Sequence, residues 1–286
     1  MADKRTMTMA VADVQRGNQS WWTSNTMSYD WHDRIADRFS AQWFEEVDRR
    51  FVHGARLFAN GSRPFDKIIP FESLPGKTVL EIGCGMGLHS ELLARAGARL
   101  HSIDLSPTSV EATQRRFALK NLDGDIRQAD AEQLPFDDAS IDFVWSWGVI
   151  HHSSRTARIV REIRRVLKPT GSCRIMVYNR AGVIVPIVYV KDHLLRGRFW
   201  RQEFDATLLA SSDGFSARFY TRDQLEDLFR AFFGNVTVSV YGLDSDAVPL
   251  PGRLRKLVLP LFSEKTLVER QGRDGAFLFL EATRPD

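Results

Sequence analysis

The amino-acid sequence predicts an α/β fold with a doubly wound, mostly parallel sheet. Residues 78–83 form an apolar run that ends in a Gly-rich turn, and a helical pattern of apolar residues begins at Leu88. Strand-like and helix-like segments then alternate as far as residue 178. Because such segments connect through right-handed crossovers, their strands form a parallel sheet with helices on both faces.

The apolar periodicity sets the boundaries of these elements. The predicted strands cover residues 78–83, 99–104, 125–129, 141–146 and 171–178. The predicted helices cover residues 88–97, 107–120 and 155–167. Towards the C-terminus, Thr221 is a predicted N-cap for a helix over residues 222–232, and strands are expected over residues 235–241 and 276–282.

Before the first strand, the sequence predicts a tail followed by a lid. Residues 1–20 are polar and show no periodicity, so we expect a mobile tail. Residues 21–74 contain a cluster of tryptophans and then apolar residues at helical spacing, which predicts a helical segment. This segment either covers the active site as a lid or anchors the N-terminus to the core. Residues 75–286 form the main domain.

An insertion is expected after the fifth strand, at about residues 179–220. Residues 182–195 are almost wholly apolar, and the segment up to Tyr220 is rich in aromatic residues. In a doubly wound domain such an insertion usually forms a cap over the active site, with a plain core helix as the alternative. The apolar run is too short to span a membrane.

The Gly-rich turn after the first strand is the main functional signal. Gly83, Gly85 and Gly87 can adopt a positive φ and carry no Cβ, so a ligand could lie against the main chain. Glu81 lies in the buried strand end, where an unpartnered acid is costly. Asp104 ends the next strand, where an acid can accept hydrogen bonds from both hydroxyls of a ribose.

Polar residues also follow the later strands. Asp130 closes the third strand, and Trp147 and the pair His151 and His152 follow the fourth. Because the carboxyl ends of parallel strands meet at one edge of a sheet, these side chains are expected to share a crevice.

Together these segments resemble a class I S-adenosylmethionine-dependent methyltransferase. The resemblance rests on V-L-E-I-G-C-G-M-G at residues 79–87, Asp104, D-A-E-Q-L-P-F at 130–136, the histidine pair and L-K-P-T-G at 167–171. It implies a seven-stranded Rossmann-like sheet that ends in an antiparallel pair of strands. It also implies that S-adenosyl-L-methionine is the methyl donor.

The resemblance carries over a set of donor-binding residues by position. They are Glu81, Gly83, Cys84, Gly85, Gly87, Asp104, Leu105, Asp130, Ala131, Trp147 and, from the lid, Tyr29. Asp104 would bind the ribose hydroxyls and Asp130 the adenine amino group. Trp147 would lie near the sulfonium, where its π face or its backbone carbonyl favours positive charge. Glu81 would orient the turn or the ammonium group of the donor.

His151 and His152 are expected on the acceptor side of the crevice. A neutral imidazole can take the proton of a hydroxyl, phenol or amine as the methyl group arrives, so at least one is a candidate base, with His151 preferred. The alternative is that one of them caps the following helix or bonds to the backbone. The candidate acceptor-pocket residues are Trp31, Tyr178, Asn179, Arg180, Arg218 and Tyr220.

We therefore expect methyl transfer to a hydroxyl or phenol oxygen of a small molecule, by in-line displacement. Methylation of carbon, nitrogen or sulfur in a small metabolite or amino acid is an alternative, as is a non-catalytic S-adenosylmethionine-binding protein. A nucleic-acid acceptor is not expected, because residues 147–150 read W-G-V-I where methylation of base amino groups calls for Asn/Asp-Pro-Pro-aromatic.

Composition limits the compartment and the partners. The net charge of +3 does not indicate the basic face of a nucleic-acid-binding protein. Cys84 and Cys173 indicate a reducing compartment, and the sequence shows no secretory segment, so we expect a cytoplasmic enzyme without stable membrane insertion or a metal site. Residues 249–262 could form a basic amphipathic helix, for which core packing or a homodimer is favoured over a membrane surface.

Overall fold

A computed structural model of the chain describes residues 11–27, 37–61 and 63–284. A mixed sheet lies at its centre, with the strand order β3-β2-β1-β4-β5-β8-β7, and the short β6 pairs with β5. The strands are β1 Thr78–Ile82, β2 Arg99–Asp104, β3 Asp125–Gln128, β4 Ile141–Trp147, β5 Leu167–Asn179, β6 Phe219–Tyr220, β7 Asn235–Tyr241 and β8 Phe277–Thr283.

The direction of the strands follows the prediction from the sequence. Strands β1 to β5 are parallel to their neighbours, whereas β8 runs antiparallel between β5 and β7. The doubly wound, seven-stranded fold class is confirmed. The predicted boundaries of the strands lie within two residues of those observed, with one exception. Strand β5 begins at Leu167 rather than at residue 171, because Leu167 pairs with Ile141 before an irregularity in the pairing of β4 with β5.

The helices cover both faces of this sheet. They are α1 Val11–Ser24, α2 Ala41–Gly54, α3 Leu88–Arg95, α4 Pro107–Lys120, α5 Thr156–Val166, α6 Ile184–Val188, α7 Phe204–Leu209, α8 Arg222–Arg230, α9 Asp244–Ala247, α10 Gly252–Val258 and α11 Glu264–Asp274. Local signals explain where they start: the Ser106 hydroxyl accepts from the backbone of Ser109 ahead of α4, and Thr221 forms a capping box with Gln224 ahead of α8.

Two hydrophobic clusters, one from each face of the sheet, form most of the core. One joins the inner sides of α5 and α8, including Ile163 and Phe229, to one face of the sheet. The other joins α3 and α4, including Leu93 and Phe117, to the opposite face. Since both faces are covered, the central strands β1 and β4 are buried along most of their length.

The N-terminal region differs from the prediction. Residues 11–20, expected as part of a mobile tail, belong to α1, so that prediction is wrong there. The helix was missed because it turns amides rather than apolar side chains towards the protein: Gln15, Asn18 and Gln19 all donate to other elements. The predicted site residues Tyr29 and Trp31 lie outside the described residues.

A buried arginine joins α2 and α3 to α4. The Arg116 side chain is fully buried, and its Nη1 donates to Asp48 Oδ1 at 2.9 Å and to the Met86 carbonyl at 3.2 Å. Its Nε donates to Glu91 Oε2 at 2.7 Å. Because Met86 belongs to the Gly-rich turn, this network attaches α2 to the turn as well as to the neighbouring helices.

Arg116→Met should lower the free energy of unfolding by roughly 3–5 kcal/mol, because it leaves Asp48 and Glu91 without their buried counter-charge. Arg115→Met, at the exposed position next to it, is the matched control and should change stability by less than about 0.5 kcal/mol. Urea unfolding of both variants measures the difference. Equal stabilities would show that the buried network contributes nothing.

The two segments for which the sequence left alternatives open, about residues 179–220 and 249–262, form short helices and turns. Residues 184–209 contain α6, a π-helical turn at Tyr189–Leu194, a 3-10 turn at Arg198–Trp200 and α7. The single helix expected over residues 249–262 is instead α10 followed by a 3-10 turn. Leu254, Leu257 and Leu261 are exposed, whereas Leu259 packs against a small buried cluster. Within residues 11–27, 37–61 and 63–284, no helix combines the length and apolarity needed to cross a bilayer.

Candidate active site

A cavity of about 640 Å³ lies at the carboxyl ends of β1, β2, β4 and β5. Its volume is in the range of pockets that hold small molecules. The Gly-rich turn, the ends of the parallel strands, α1, α2 and the segment between β5 and β6 all contribute to its wall. The parallel topology therefore brings the predicted donor-binding segments to one place.

The Gly-rich turn approaches the cavity with its main chain. Gly83 and Gly85 have φ values of 88° and 52°. A Cβ on Gly83 would collide with the Val149 side chain, whereas a Cβ on Gly85 would meet no atom within 4 Å. Gly85 thus leaves space at the cavity wall that a side chain would fill. Cys84 is buried and also lines the cavity, and Gly87 precedes α3 with a positive φ.

Asp104 lies in the cavity wall at the end of β2. Its Oδ2 accepts from the backbone N–H of Gly85 at 3.0 Å, and its Oδ1 accepts from that of Ser106 at 2.8 Å. Burial raises the pKa of this carboxyl group, and the backbone donors act in the opposite direction. Each oxygen keeps a lone pair that can accept from a ligand hydroxyl.

Asp130 and Leu105 line the cavity beside α1. Asp130 Oδ1 accepts from Gln15 Nε2 at 2.8 Å and from the backbone of Glu132 at 2.8 Å, and its Oδ2 has no hydrogen bond from the described residues. The Leu105 carbonyl accepts from Gln19 Nε2 at 3.3 Å. Helix α1 therefore covers the end of the cavity where the resemblance places adenine. Ala131 is buried in the same wall.

Glu81 does not reach the cavity. Its Oε2 accepts from Ser102 at 2.6 Å and from Ser90, so the side chain points towards α3 and β2. Burial raises the pKa of Glu81 to about 7. The structure therefore does not bring Glu81 to a ligand's ammonium group, although it holds α3 against the strands that carry the turn.

The two histidines occupy different surroundings. His152 lines the cavity, and its Nδ1 bonds to the Ser216 carbonyl at 2.6 Å. Its Nε2 is buried and has no hydrogen-bond partner in the part of the chain that the structure describes. Burial lowers the pKa of His152 to about 4. His151 is fully buried against Tyr178, with ring centroids 4.1 Å apart, and does not line the cavity. His151, which the sequence favoured as the candidate base, therefore lies behind the cavity wall.

Aromatic rings form a continuous wall along the cavity. The Trp147 centroid lies 5.3 Å from His89, 5.7 Å from Phe51 and 5.9 Å from Phe277. Phe277 continues to Tyr178 at 6.4 Å, and all five residues line the cavity. Burial raises the pKa of the Tyr178 phenol. This wall suits a flat or apolar molecule.

Among the predicted acceptor-pocket residues, Tyr178 reaches the cavity but Asn179 and Tyr220 do not. Asn179 is buried, and its Nδ2 donates to the Gly275 carbonyl at 2.8 Å. The Tyr220 hydroxyl donates to Thr156 at 3.0 Å inside the core. Successive residues of a strand point to opposite faces, so the residue after Tyr178 turns away from the cavity.

The predicted arginines also lie outside the cavity wall. Arg180 pairs with Asp205 on the surface. Arg218 donates through Nη2 to the Ser154 carbonyl at 2.7 Å, so it ties the segment before β6 to the loop after β4. Both act within the protein, and neither faces the cavity.

Three further cavity residues carried no sequence signal, and a fourth, Trp22, belongs to the predicted tryptophan cluster. Among the described residues, the carboxamide oxygens of Gln15 and Asn18 on α1 are buried without a partner. Asp213, between α7 and β6, lines the cavity, and burial raises the pKa of its carboxyl group. The Trp22 ring lies 5.0 Å from that of His152. These residues come from segments distant in sequence, so only the fold shows that they share one wall.

Comparisons with known proteins find methyltransferases among similar sequences and structures. A family model described as "Methyltransferase domain" matches residues 80–175. A ubiquinone biosynthesis O-methyltransferase of Methylocella silvestris is 33% identical over 199 residues, which is 67% of this chain and 74% of that protein.

Solved structures share the fold at low identity. A geranyl diphosphate C-methyltransferase from Streptomyces coelicolor, solved with S-adenosyl-L-homocysteine, has a TM-score of 0.57 at 16% identity, over 95% of this chain and 98% of its own. A possible histamine N-methyltransferase from Thermotoga maritima has a TM-score of 0.53 at 19% identity, over 84% of this chain and 95% of its own.

Gly85→Ala and Gly83→Ala should separate binding from folding. Both add a Cβ at a positive φ, which costs roughly 1–2 kcal/mol. Gly85→Ala should in addition weaken binding of S-adenosylhomocysteine by at least about tenfold, because its methyl group enters the cavity. Gly83→Ala should show the larger loss of stability, because its methyl group collides with Val149.

Calorimetric titration and thermal unfolding of the two variants test this separation. Unchanged affinity in a folded Gly85→Ala protein would mean that the ligand does not lie against the turn.

Proposed function

Because this chain belongs to the class I S-adenosylmethionine-dependent methyltransferases, we propose that it methylates a hydroxyl or phenol oxygen of a small apolar acceptor. S-Adenosylmethionine supplies an electrophilic methyl group on a sulfonium, so the protein needs to supply position and a proton acceptor. The name of the similar Methylocella silvestris protein, an O-methyltransferase of ubiquinone biosynthesis, supports oxygen as the methylated atom and a quinol-like ring as a candidate acceptor.

The residues around the Gly-rich turn fit the donor. Asp104 presents buried carboxylate oxygens to the cavity, suited to the two hydroxyls of a ribose, and Gly85 leaves open space beside it. Asp130 offers Oδ2 to the adenine amino group, while Oδ1 is held by α1. We assign the methionine portion to the main chain of the turn and the neighbourhood of Trp147.

Gln15 extends this adenine site. Its Nε2 donates to a carboxylate that can only accept, so the amide orientation is fixed and Oε1 is the atom left to accept. That oxygen is buried and has no donor among the described residues, an arrangement that costs about 1–3 kcal/mol when left unpaired. An amino group between Asp130 and Gln15 would satisfy both acceptors. We assign Gln15 to the second hydrogen of the adenine amino group.

The acceptor assignment rests on the protonation state of His152. Its Nδ1 faces a carbonyl oxygen of Ser216 and therefore carries the proton, which leaves the lone pair on Nε2. Because the pKa is lowered to about 4, the ring is neutral at pH 7 and Nε2 is free to accept. His152 is therefore the proposed base, and His151 the residue that packs behind it.

The surroundings of His152 describe the acceptor. Asn18 donates to the His152 carbonyl at 2.7 Å, and its buried Oδ1 has no partner within residues 11–27, 37–61 and 63–284. Asn18 Oδ1 is therefore a second atom on this side that could accept from a hydroxyl group. Tyr178 and Trp22 supply ring faces or edges next to the imidazole. An aromatic or otherwise apolar molecule with a hydroxyl group matches this combination of rings and hydrogen-bond acceptors.

Gln15→Leu should weaken S-adenosylhomocysteine binding by about tenfold, the equivalent of one lost hydrogen bond. It should also reduce the preference for S-adenosylhomocysteine over S-inosylhomocysteine, which has a carbonyl in place of the adenine amino group. Gln19→Leu, which removes a contact with Leu105 instead, is the control and should keep that preference. Calorimetry with the two ligands gives all four affinities. A preserved preference in Gln15→Leu would refute the adenine assignment.

His152→Gln should reduce turnover by about 10²–10⁴-fold on a phenol acceptor, while S-adenosylhomocysteine binding stays within threefold of the wild type. Transfer of a labelled methyl group to a panel of phenols, hydroquinones, aliphatic alcohols, amines and thiols measures this. Because His152 becomes protonated only near pH 4, kcat/KM of the wild type should remain level as the pH falls from 8 to 6.

Two results would contradict this proposal. Labelled amines or thiols without labelled phenols or alcohols would exclude oxygen as the methylated atom. Full turnover by His152→Gln on an oxygen acceptor would be compatible with O-methylation but would show that His152 is not the base.

A further inference from the structure

The segment between β5 and β6 exposes large apolar side chains on its outer side. We call residues 189–201 the cap apex. Its exposed apolar residues are Tyr189, Val190, Leu194, Leu195, Phe199 and Trp200. Leu195 and Trp200 are 79% and 81% exposed, and the rings of Phe199 and Trp200 are 4.5 Å apart. Scattered exposed apolar residues are normal, but a contiguous group marks an interaction surface.

The cap apex has a packed inner side that holds this surface in place. Val185, Val188 and Leu208 form a small cluster beneath it. His193 is buried and its Nδ1 bonds to Thr207 Oγ1 at 2.9 Å. The outer apolar residues are therefore presented by a structured element whose own core is already filled.

Basic side chains surround the apolar residues of the cap apex. Lys191, Arg196, Arg198 and Arg201 carry four positive charges, and Arg196 pairs with the single acid of the segment, Asp192, at 2.6 Å. The cap apex therefore has a net charge of +3, the same as that of the whole chain. Tryptophan and leucine flanked by arginine and lysine form the combination that binds the interface of an anionic bilayer.

The segment that carries the cap apex also contributes to the cavity wall. Ile184, the first residue of α6, lines the cavity and is also 41% exposed. The chain runs from Ile184 through α6 directly into the cap apex. Residues 184–190, which join the cavity wall to the cap apex, contain no charged side chain.

We infer that the cap apex docks the protein on a bilayer surface that carries anionic lipid headgroups. Leu195 and Trp200 enter the interfacial layer, and the basic side chains contact the headgroups. A second copy of the chain fits this surface less well, because a two-fold interface would bring the same four positive charges face to face. The inference goes beyond the proposed methyl transfer and holds for any acceptor.

Sedimentation with lipid vesicles tests the docking surface. The full chain should bind vesicles of phosphatidylcholine with phosphatidylglycerol at least tenfold more tightly than vesicles of phosphatidylcholine alone, and added salt should weaken this binding. The double variant Leu195→Glu/Trp200→Glu should lose at least tenfold in affinity. Leu257→Glu, which changes a leucine that is 73% exposed on α10, is the matched control and should bind as the wild type does.

Three results would overturn the inference: no vesicle binding by the wild type, an equal loss in the Leu257→Glu control, or a wild-type dimer in light scattering that the double variant converts to a monomer. The last result would assign the surface to a second copy. Titration with S-adenosylhomocysteine tests the donor site separately from the docking surface. The double variant should bind S-adenosylhomocysteine as tightly as the wild type does, whatever the result with vesicles.

Discussion

The hydrogen bonds of the Asp104 carboxylate connect the elements on which the site depends. One oxygen holds the backbone of Gly85 after β1, and the other holds that of Ser106 at the start of α4. A buried carboxylate requires such donors, because desolvation without them favours the neutral acid. The same group that shapes the turn therefore presents its remaining lone pairs to the cavity, so folding of the turn also forms the proposed ribose site.

The acceptor side is assembled from segments that belong to no single motif. His152 receives its orientation from the Ser216 carbonyl, in the segment before β6, and its backbone carbonyl accepts from Asn18 on α1. Desolvation by these elements also keeps the ring neutral. The proposed base therefore depends on the insertion after β5 and on the N-terminal helix, neither of which is needed to build the parallel sheet.

The sequence was sufficient for the sheet but not for the site's details. Apolar strands, the Gly-rich turn and the N-cap at Thr221 are local signals, and local signals determine the framework of the sheet. The first part of helix α1 was not predicted, because the side chains that Gln15, Asn18 and Gln19 turn towards the protein are amides and form no apolar pattern. The choice between His151 and His152 depends on a single 3-10 turn, which points adjacent side chains in different directions. Asn179 likewise turns away from the cavity simply by following Tyr178 in a strand.

Helix α1 makes the two ends of the cavity interdependent. Gln15 and Gln19 contact the loops after β3 and β2, while Asn18 and Trp22 contact His152, so one rigid helix touches both the proposed adenine site and the proposed base. An adenine amino group that satisfies Gln15 would stabilise α1 in place, and with it the wall around His152. If the donor holds α1 in place in this way, its binding favours the state of the protein in which the acceptor site is complete. The donor would then bind before the acceptor.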